Sequence, residues 1–463
     1  MNREEFQNAL RKGLGRAVQH VRNSLPETVR DDLAHACTHF LGMNRQEESG
    51  GRAEWLFSMI EATGEPDFYR QKVIAALEQT PDDGGDDSET FNELYSLLTE
   101  FAVRGDAESL AVMRRRFDTA SVLYDPGFGF YELFRIDGID ALIRLLCREW
   151  KRIRDDETLW PPEWEIEYAE KELGKEAVQA ALEKESLVNE SVRLYLERLR
   201  RKEAERLAKE AKEEEDQAEE IASPLPRLPE LIAGLDEDWP QETEWTDAAF
   251  YATFSRRRIQ FLRSGQFYAM PTPEELEFAF QQLLETTDPG RQFCLLGIFV
   301  KETMPRLEPR LLSLLDTSFH LRWGSAEAFY RMANPLVRAK GLELVAKAPD
   351  FKDWNLGISL LEKNYQPEDE SLLRRTLESV PADTDIHDLH SIVMSLHDLA
   401  AANAGFSFEP ILLWTYENSP CPYCRGKSVE LMIRRNIATE TLLEECRDDS
   451  YEKTRKLVTE PQS

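Results

Sequence analysis

The chain has 463 residues, of which 41% are hydrophobic and 10% aromatic, and its 57 basic against 87 acidic side chains leave a net charge of −30. Such a composition can bury a core and excludes both wholesale disorder and collagen-like repetition. So negative a field repels phosphate backbones, which disfavours nucleic-acid partners and favours basic ones.

The N-terminus, MNREEFQNALRKGLGRAVQHVRN, lacks the apolar run of a secretory leader, and no stretch of about 18 apolar residues predicts a membrane span. Six cysteines in a chain of this length do not make a disulfide scaffold, so reduced thiols and a cytoplasmic location are expected, with no membrane partner. Helical periodicity dominates from the start. Phe91, Leu94, Leu97, Leu98 and Phe101 share one helical face, as do Leu142, Leu145, Leu146, Trp150 and Ile153. The spacing predicts helices over 3–22, 26–41, 52–62, 66–79, 88–104, 106–117, 130–154, 163–173 and 174–185, joined by short turns such as Pro66-Asp67 and Gly105-Asp106. The expected fold class is all-α, and the first domain is an N-terminal region of helical hairpins over 1–185.

A long charged helix is expected over 186–220. It opens amphipathic at Val188, Val192, Tyr195, Leu196 and Leu199, then turns into RKEAERLAKEAKEEEDQAEE, which suits a solvated spacer. Residues 221–247, IASPLPRLPELIAGLDEDWPQETEWTD, form a proline-rich acidic linker. Trp239 and Trp245 within it either fold back onto a neighbouring helix or await a partner, because an indole is costly to leave in water.

Residues 248–463 read as repeats of about 29–36 residues, each with two apolar-periodic helices. One such hairpin cannot bury its apolar face alone, so neighbours stack into an α-solenoid of antiparallel helical hairpins, with each helix packed only on its sequence neighbours. Asp316 and Asp449 each precede a helix that they can cap. Arg322 and Arg455 follow one or two turns later, placed to pair with acids of the next repeat. Asn334-Pro335 marks a second helix start. On the segments LLGIFVKETMPRLEPRLLSLLD, LRWGSAEAFYRMANPLVRAKGLELV, LLEKNYQPEDESLL, CPYCRGKSVELMI and EECRDDSYEKTRKL, the region from about 285 to 459 resembles the bacterial HEAT-repeat proteins of short period. EWLFSMIEATGEPDFYRQKVIAAL and ELYSLLTEFAVRGDAESLAVMRRRF carry a weaker likeness in the N-terminal half. The resemblance implies a fold and no reaction.

The sequence offers few chemical sites. Cys421 and Cys424 have the spacing of half a zinc site, with Cys446 and His397 as conceivable further ligands; packed thiols and a redox pair are the alternatives. His387, His390 and His397 share an arc of one helix that could bind a metal, but His390 and His397 stand about 10 Å apart along it, so one ion could not easily take both and surface or inter-repeat hydrogen-bonding histidines are the better reading. Gly426-Lys427-Ser428 lacks the earlier glycine of a phosphate loop, Cys421 standing in its place. The basic clusters Arg114–Arg116 and Arg256, Arg257 and Arg258 point in different directions on a helix. They suit ion pairs within this acidic chain or docking of a partner. With no metal, cofactor or catalytic constellation recognised, the expectation is a non-enzymatic scaffold or adaptor that binds a basic protein along its surface, Trp239, Trp245 and Arg256–Arg258 being candidate contacts. A small-molecule-binding or lyase-like HEAT-repeat protein and a nucleic-acid-binding solenoid are the alternatives.

Overall fold

Local chemistry starts the helices of the computed structural model, which describes residues 1–41, 51–80, 88–119, 129–156, 158–159, 161, 163–221, 225–235, 269–317, 319–347, 351–381 and 383–459. Asn2 and Glu5 form a capping box at α1 (Arg3–Lys12); Thr272 and Glu275 form another at α14 (Pro273–Glu285). Proline opens α3 (Pro26–Thr38), α5 (Pro66–Gln79) and α15 (Pro289–Lys301) where the missing N–H is no loss. Among the described residues every regular element is a helix, and none is long and apolar enough to cross a membrane. The all-α expectation holds.

The chain divides into two compact units, Met1–Asp216 with Pro420–Gly426 and Thr439–Ser463, and Gln217–Ser419 with Lys427–Ala438. In the first unit, α1 and α2 (Gly15–Arg22) replace the single helix expected over 3–22, because Gly13 adopts φ 72° and ends α1 with a left-handed cap. There follow α3, α4 (Gly51–Thr63), α5, α6 (Ser88–Ala102) and α7 (Ala107–Thr119). Gly138, at φ 54°, likewise splits 130–154 into α8 (Phe130–Asp137) and α9 (Ile139–Ile153). Then come α10 (Trp164–Leu173), α11 (Lys175–Ser186) and the long α12 (Glu190–Ile221).

Packing in this unit is not confined to sequence neighbours. The C-terminal helices α23 (Glu440–Cys446) and α24 (Glu452–Thr459) belong to it, and α23 packs on α2. Gly15 makes this approach possible, since a Cβ there would sit 1.9 Å from the Glu445 carbonyl oxygen. Arg16 pairs with Glu445 at 2.8 Å, Arg22 with Asp448 at 2.9 Å, and the Trp55 indole donates to the Asp448 carbonyl at 2.9 Å. Deeper in, the fully buried Arg425 guanidinium forks onto fully buried Asp449, with Nε and Nη2 each 2.8 Å from a carboxylate oxygen. Its Nη2 also reaches the Gly13 carbonyl at 3.1 Å and Ser450 Oγ at 3.0 Å, and Nη1 donates to the Lys12 carbonyl. A bidentate pair with carbonyl acceptors is the arrangement that repays the desolvation of a buried guanidinium.

The second unit holds α13 (Leu228–Ala233), which folds within the proline-rich stretch, then α14, α15, α16 (Phe319–Phe329), α17 (Pro335–Ala346), α18 (Phe351–Leu361), α19 (Glu370–Glu378), α20 (Ile386–Ala402) and α21 (Glu409–Asn418). The helix Pro422–Arg434, α22, is shared between the units. A core from Leu228 and Ile232 through Phe280, Leu296 and Phe299 to Phe329 and Leu344 runs from α13 to α17. Helices α17 and α18 touch backbone to backbone, because a Cβ on Gly357 would meet the Gly341 carbonyl oxygen at 2.8 Å. Ion pairs cross between elements here: Arg322 with Asp353, Lys340 with Asp316 at 2.9 Å, and Arg338 with Asp369. Asn334 caps α17 through Leu336 N–H at 2.8 Å. Asp449, by contrast, caps through Tyr451 N–H at 2.8 Å, and Arg455 turns back onto the Asp449 and Ser450 carbonyls, at 2.7 and 2.9 Å, rather than to a neighbouring acid.

Candidate functional site

Helices α6, α8 and α10 enclose a cavity of about 390 Å³ in the first unit, lined by Ser96, Thr99, Tyr131, Glu132, Phe134, Arg135, Tyr168, Glu172 and Leu173. Its walls follow from how α8 is held. Gly129 at φ 72° starts the helix, and a Cβ there would lie 3.2 Å from the Tyr95 ring of α6, so only glycine lets α8 settle this closely. Tyr95 is fixed in turn by donating its hydroxyl to the Met113 carbonyl of α7.

Two polar contacts then set the register of α8 on α6. Ser96 Oγ donates to Glu132 Oε1 at 2.9 Å, and Arg135 Nη1 donates to Glu100 Oε1 at 2.7 Å. Ser96 and Glu100 stand four residues apart on α6 and Glu132 and Arg135 three apart on α8, so one pair meets about a turn from the other. Rings make the third wall. Tyr168 of α10 meets Tyr131 edge to face, with centroids 4.8 Å apart and planes at 88°, and meets Phe134 at 5.5 Å and 69°. Edge-to-face rings of this kind hold each other at right angles.

Helix α10 continues the site outward. Trp164, Tyr168 and Glu172 follow at i, i+4 and i+8 and so form one stripe. Trp164 is 76% exposed, the most exposed aromatic among the described residues. Trp164 stands one helical turn before Tyr168, which lines the cavity. The Tyr168 hydroxyl is pushed up in pKa, first by burial and then by the carboxylates of Glu172 and Glu132. The sequence reading nominates none of these residues. Their signal is the i, i+4, i+8 spacing of Trp164, Tyr168 and Glu172 on a helix whose apolar side is Ile166 and Ala169.

The residues nominated from sequence fall elsewhere. Trp239, Trp245, Arg256, Arg257 and Arg258 lie outside the described residues. Of the proposed zinc ligands, Cys421, Cys424 and Cys446 are buried thiols of the first unit, and His397 belongs to the second. Its Nε2 lies 2.8 Å from Ser428 Oγ, which in turn lies 2.8 Å from Thr415 Oγ1. That histidine–serine distance would suit a base and a nucleophile. Yet Ser428 and Thr415 are 0% exposed and His397 is 5% exposed, so no substrate reaches them. Burial, with the nearby charges of Lys427 and His390, pushes the His397 pKa down to about 3, and the ring is neutral at physiological pH. The chain Thr415–Ser428–His397 is a structural hydrogen-bond relay between helices. The Arg114–Arg116 cluster spends itself inside the protein: Arg114 pairs with Asp137, Arg115 with Glu78, and Arg116 donates to the Thr80 carbonyl at 2.6 Å. The chain matches no family model, and comparison with curated proteins and with solved structures gives no match either.

Proposed function

We propose that this protein is a non-enzymatic helical adaptor of the HEAT-like kind, and that the α6–α8–α10 face receives a basic segment of a protein partner. The observation that carries the reading is the coincidence of an exposed indole, Trp164, with an aromatic and acidic cavity on the same helical stripe. Three aromatic rings supply area at low entropic cost, and Glu132 and Glu172 supply the charge that steers a cation inward. The net charge of −30 acts in the same direction at long range. The stacked-hairpin arrangement is supported in the second unit by the ion pairs that cross between elements, Arg322 to Asp353 and Arg338 to Asp369.

The test is chemical cross-linking of the full chain to its partners in lysate of its native host at low salt, followed by mass spectrometry of the joined peptides. Cross-links from α10 and α8 to a lysine- or arginine-rich peptide, lost in Trp164→Ala and weakened by added salt, are expected. Partners joined only through other helices would overturn the assignment. A second reading, a small-molecule binder, draws on the cavity volume of about 390 Å³, within the range of ligand pockets. Native mass spectrometry distinguishes it by a bound mass on the freshly purified chain.

A further inference from the structure

We infer that the α6–α8–α10 cavity takes an alkylammonium group, the head of a lysine side chain carried by the partner. The source of the lysine rests on the adaptor reading; the chemistry of the pocket does not.

The lining sorts by what each part can recognise. Two carboxylates, Glu132 and Glu172, face one guanidinium, Arg135, and that guanidinium is already held by Glu100 at 2.7 Å. The balance is therefore set for a cation, and an anion entering would meet two like charges. Tyr131 and Tyr168 stand as walls at 88° to one another, with Phe134 closing on Tyr168 at 69°. Such rings offer aromatic surface beside the carboxylates, and ammonium groups, including methylated ones, are held against aromatic surface. Phe134 and Leu173 add the apolar surface along which a four-carbon stem lies while its head stays in the polar part. The Ser96 hydroxyl is committed to Glu132 at 2.9 Å, so that carboxylate is oriented before any ligand arrives. A lysine fits this better than an arginine. A compact ammonium is satisfied by separate carboxylates and ring faces, whereas a guanidinium asks for one coplanar bidentate carboxylate.

Isothermal titration of the full chain tests this with four probes: n-pentylamine, hexanoate, the peptide acetyl-Gly-Ser-Lys-Ser-Gly-amide, and the same peptide with its lysine Nε-acetylated. We expect saturable binding of pentylamine and of the lysine peptide, weakening several-fold between 50 and 300 mM salt. Hexanoate and the acetylated peptide should not bind. The Glu132→Gln/Glu172→Gln chain should lose at least tenfold. Tyr168→Leu should lose roughly fivefold while Tyr168→Phe stays within twofold, which separates loss of the ring face from loss of the fold; circular dichroism and thermal melting check each variant.

Hexanoate binding as well as pentylamine, or the double Gln variant binding unchanged, overturns the proposal. Pentylamine binding without the peptide overturns the lysine and leaves a free amine as ligand. A partner cross-linked equally by wild type and the double Gln variant removes the lysine pocket while the adaptor reading stands. Clean pentylamine binding with no partner found on this face does the reverse.

Discussion

Acid should destabilise the second unit through His397. The ring is 5% exposed, and burial pushes its pKa from the usual 6.5 down to about 3, with Lys427 and His390 adding like-charge repulsion. The neutral ring is the form that fits between α20 and the Ser428 hydroxyl 2.8 Å away. In the unfolded chain the same histidine binds a proton near pH 6.5, so between that pH and about 3 the unfolded state holds more protons than the folded one. Its contribution is fully present above pH 6.5 and is lost as pH falls. At pH 5 the loss is about 2 kcal/mol, taken from an unfolded pKa of about 6.5 and 1.36 kcal/mol per pKa unit. Urea unfolding at pH 8, 7, 6 and 5, followed by a probe within the second unit, should show the stability falling by that amount, and His397→Gln should flatten the curve. The ring Cε1–H signals of the seven histidines provide a direct check. One signal, absent from His397→Gln, should stay at its neutral shift down to pH 5. Parallel stability curves for the two chains, or a His397 signal that titrates near pH 6.5, would refute the reasoning.

Other expectations follow from single contacts. Arg425→Met leaves the Asp449 carboxylate buried without its partner and should cost about 3–5 kcal/mol by denaturant unfolding; Arg425→Met with Asp449→Leu should recover much of that, and a single-variant cost below about 1 kcal/mol would contradict the clamp. Gly15→Ala drives a methyl to 1.9 Å from the Glu445 carbonyl oxygen. It should cost about 1–3 kcal/mol and loosen α2 from α23, read as faster amide exchange in both. Trp164→Ala should leave stability within about 0.5 kcal/mol, since the indole is 76% exposed, while partner cross-linking falls. A large drop in melting temperature for that variant would show that the indole packs and does not wait.

Helices were legible because each rests on its own residues. The face shared by Leu142, Leu145 and Leu146 recurs in α9, and the Asn334-Pro335 start appears as a cap and a first-turn proline in α17. The two breaks that periodicity passed over, after Lys12 and at Gly138, lie where a glycine takes positive φ inside a run of continuous amphipathic spacing. A pattern of side chains carries no information on the one residue that has none. The cavity was hidden for a different reason. Tyr131, Glu132, Tyr168 and Glu172 sit on two helices 30 and more residues apart, and the tryptophans that drew notice in the acidic linker are more conspicuous by composition. The closure of the first unit was less visible still. Arg425 reaches the Gly13 carbonyl across 412 residues. In CPYCR the eye goes to the cysteines, whose spacing has a known chemistry, yet the arginine beside them makes the costlier demand. A guanidinium buried at 0% exposure must find a carboxylate and further acceptors or the fold fails. A chain with 87 acids offers many carboxylates, so the need is readable at Arg425 and its answer, Asp449 with the backbone of α1's cap, is readable only in three dimensions.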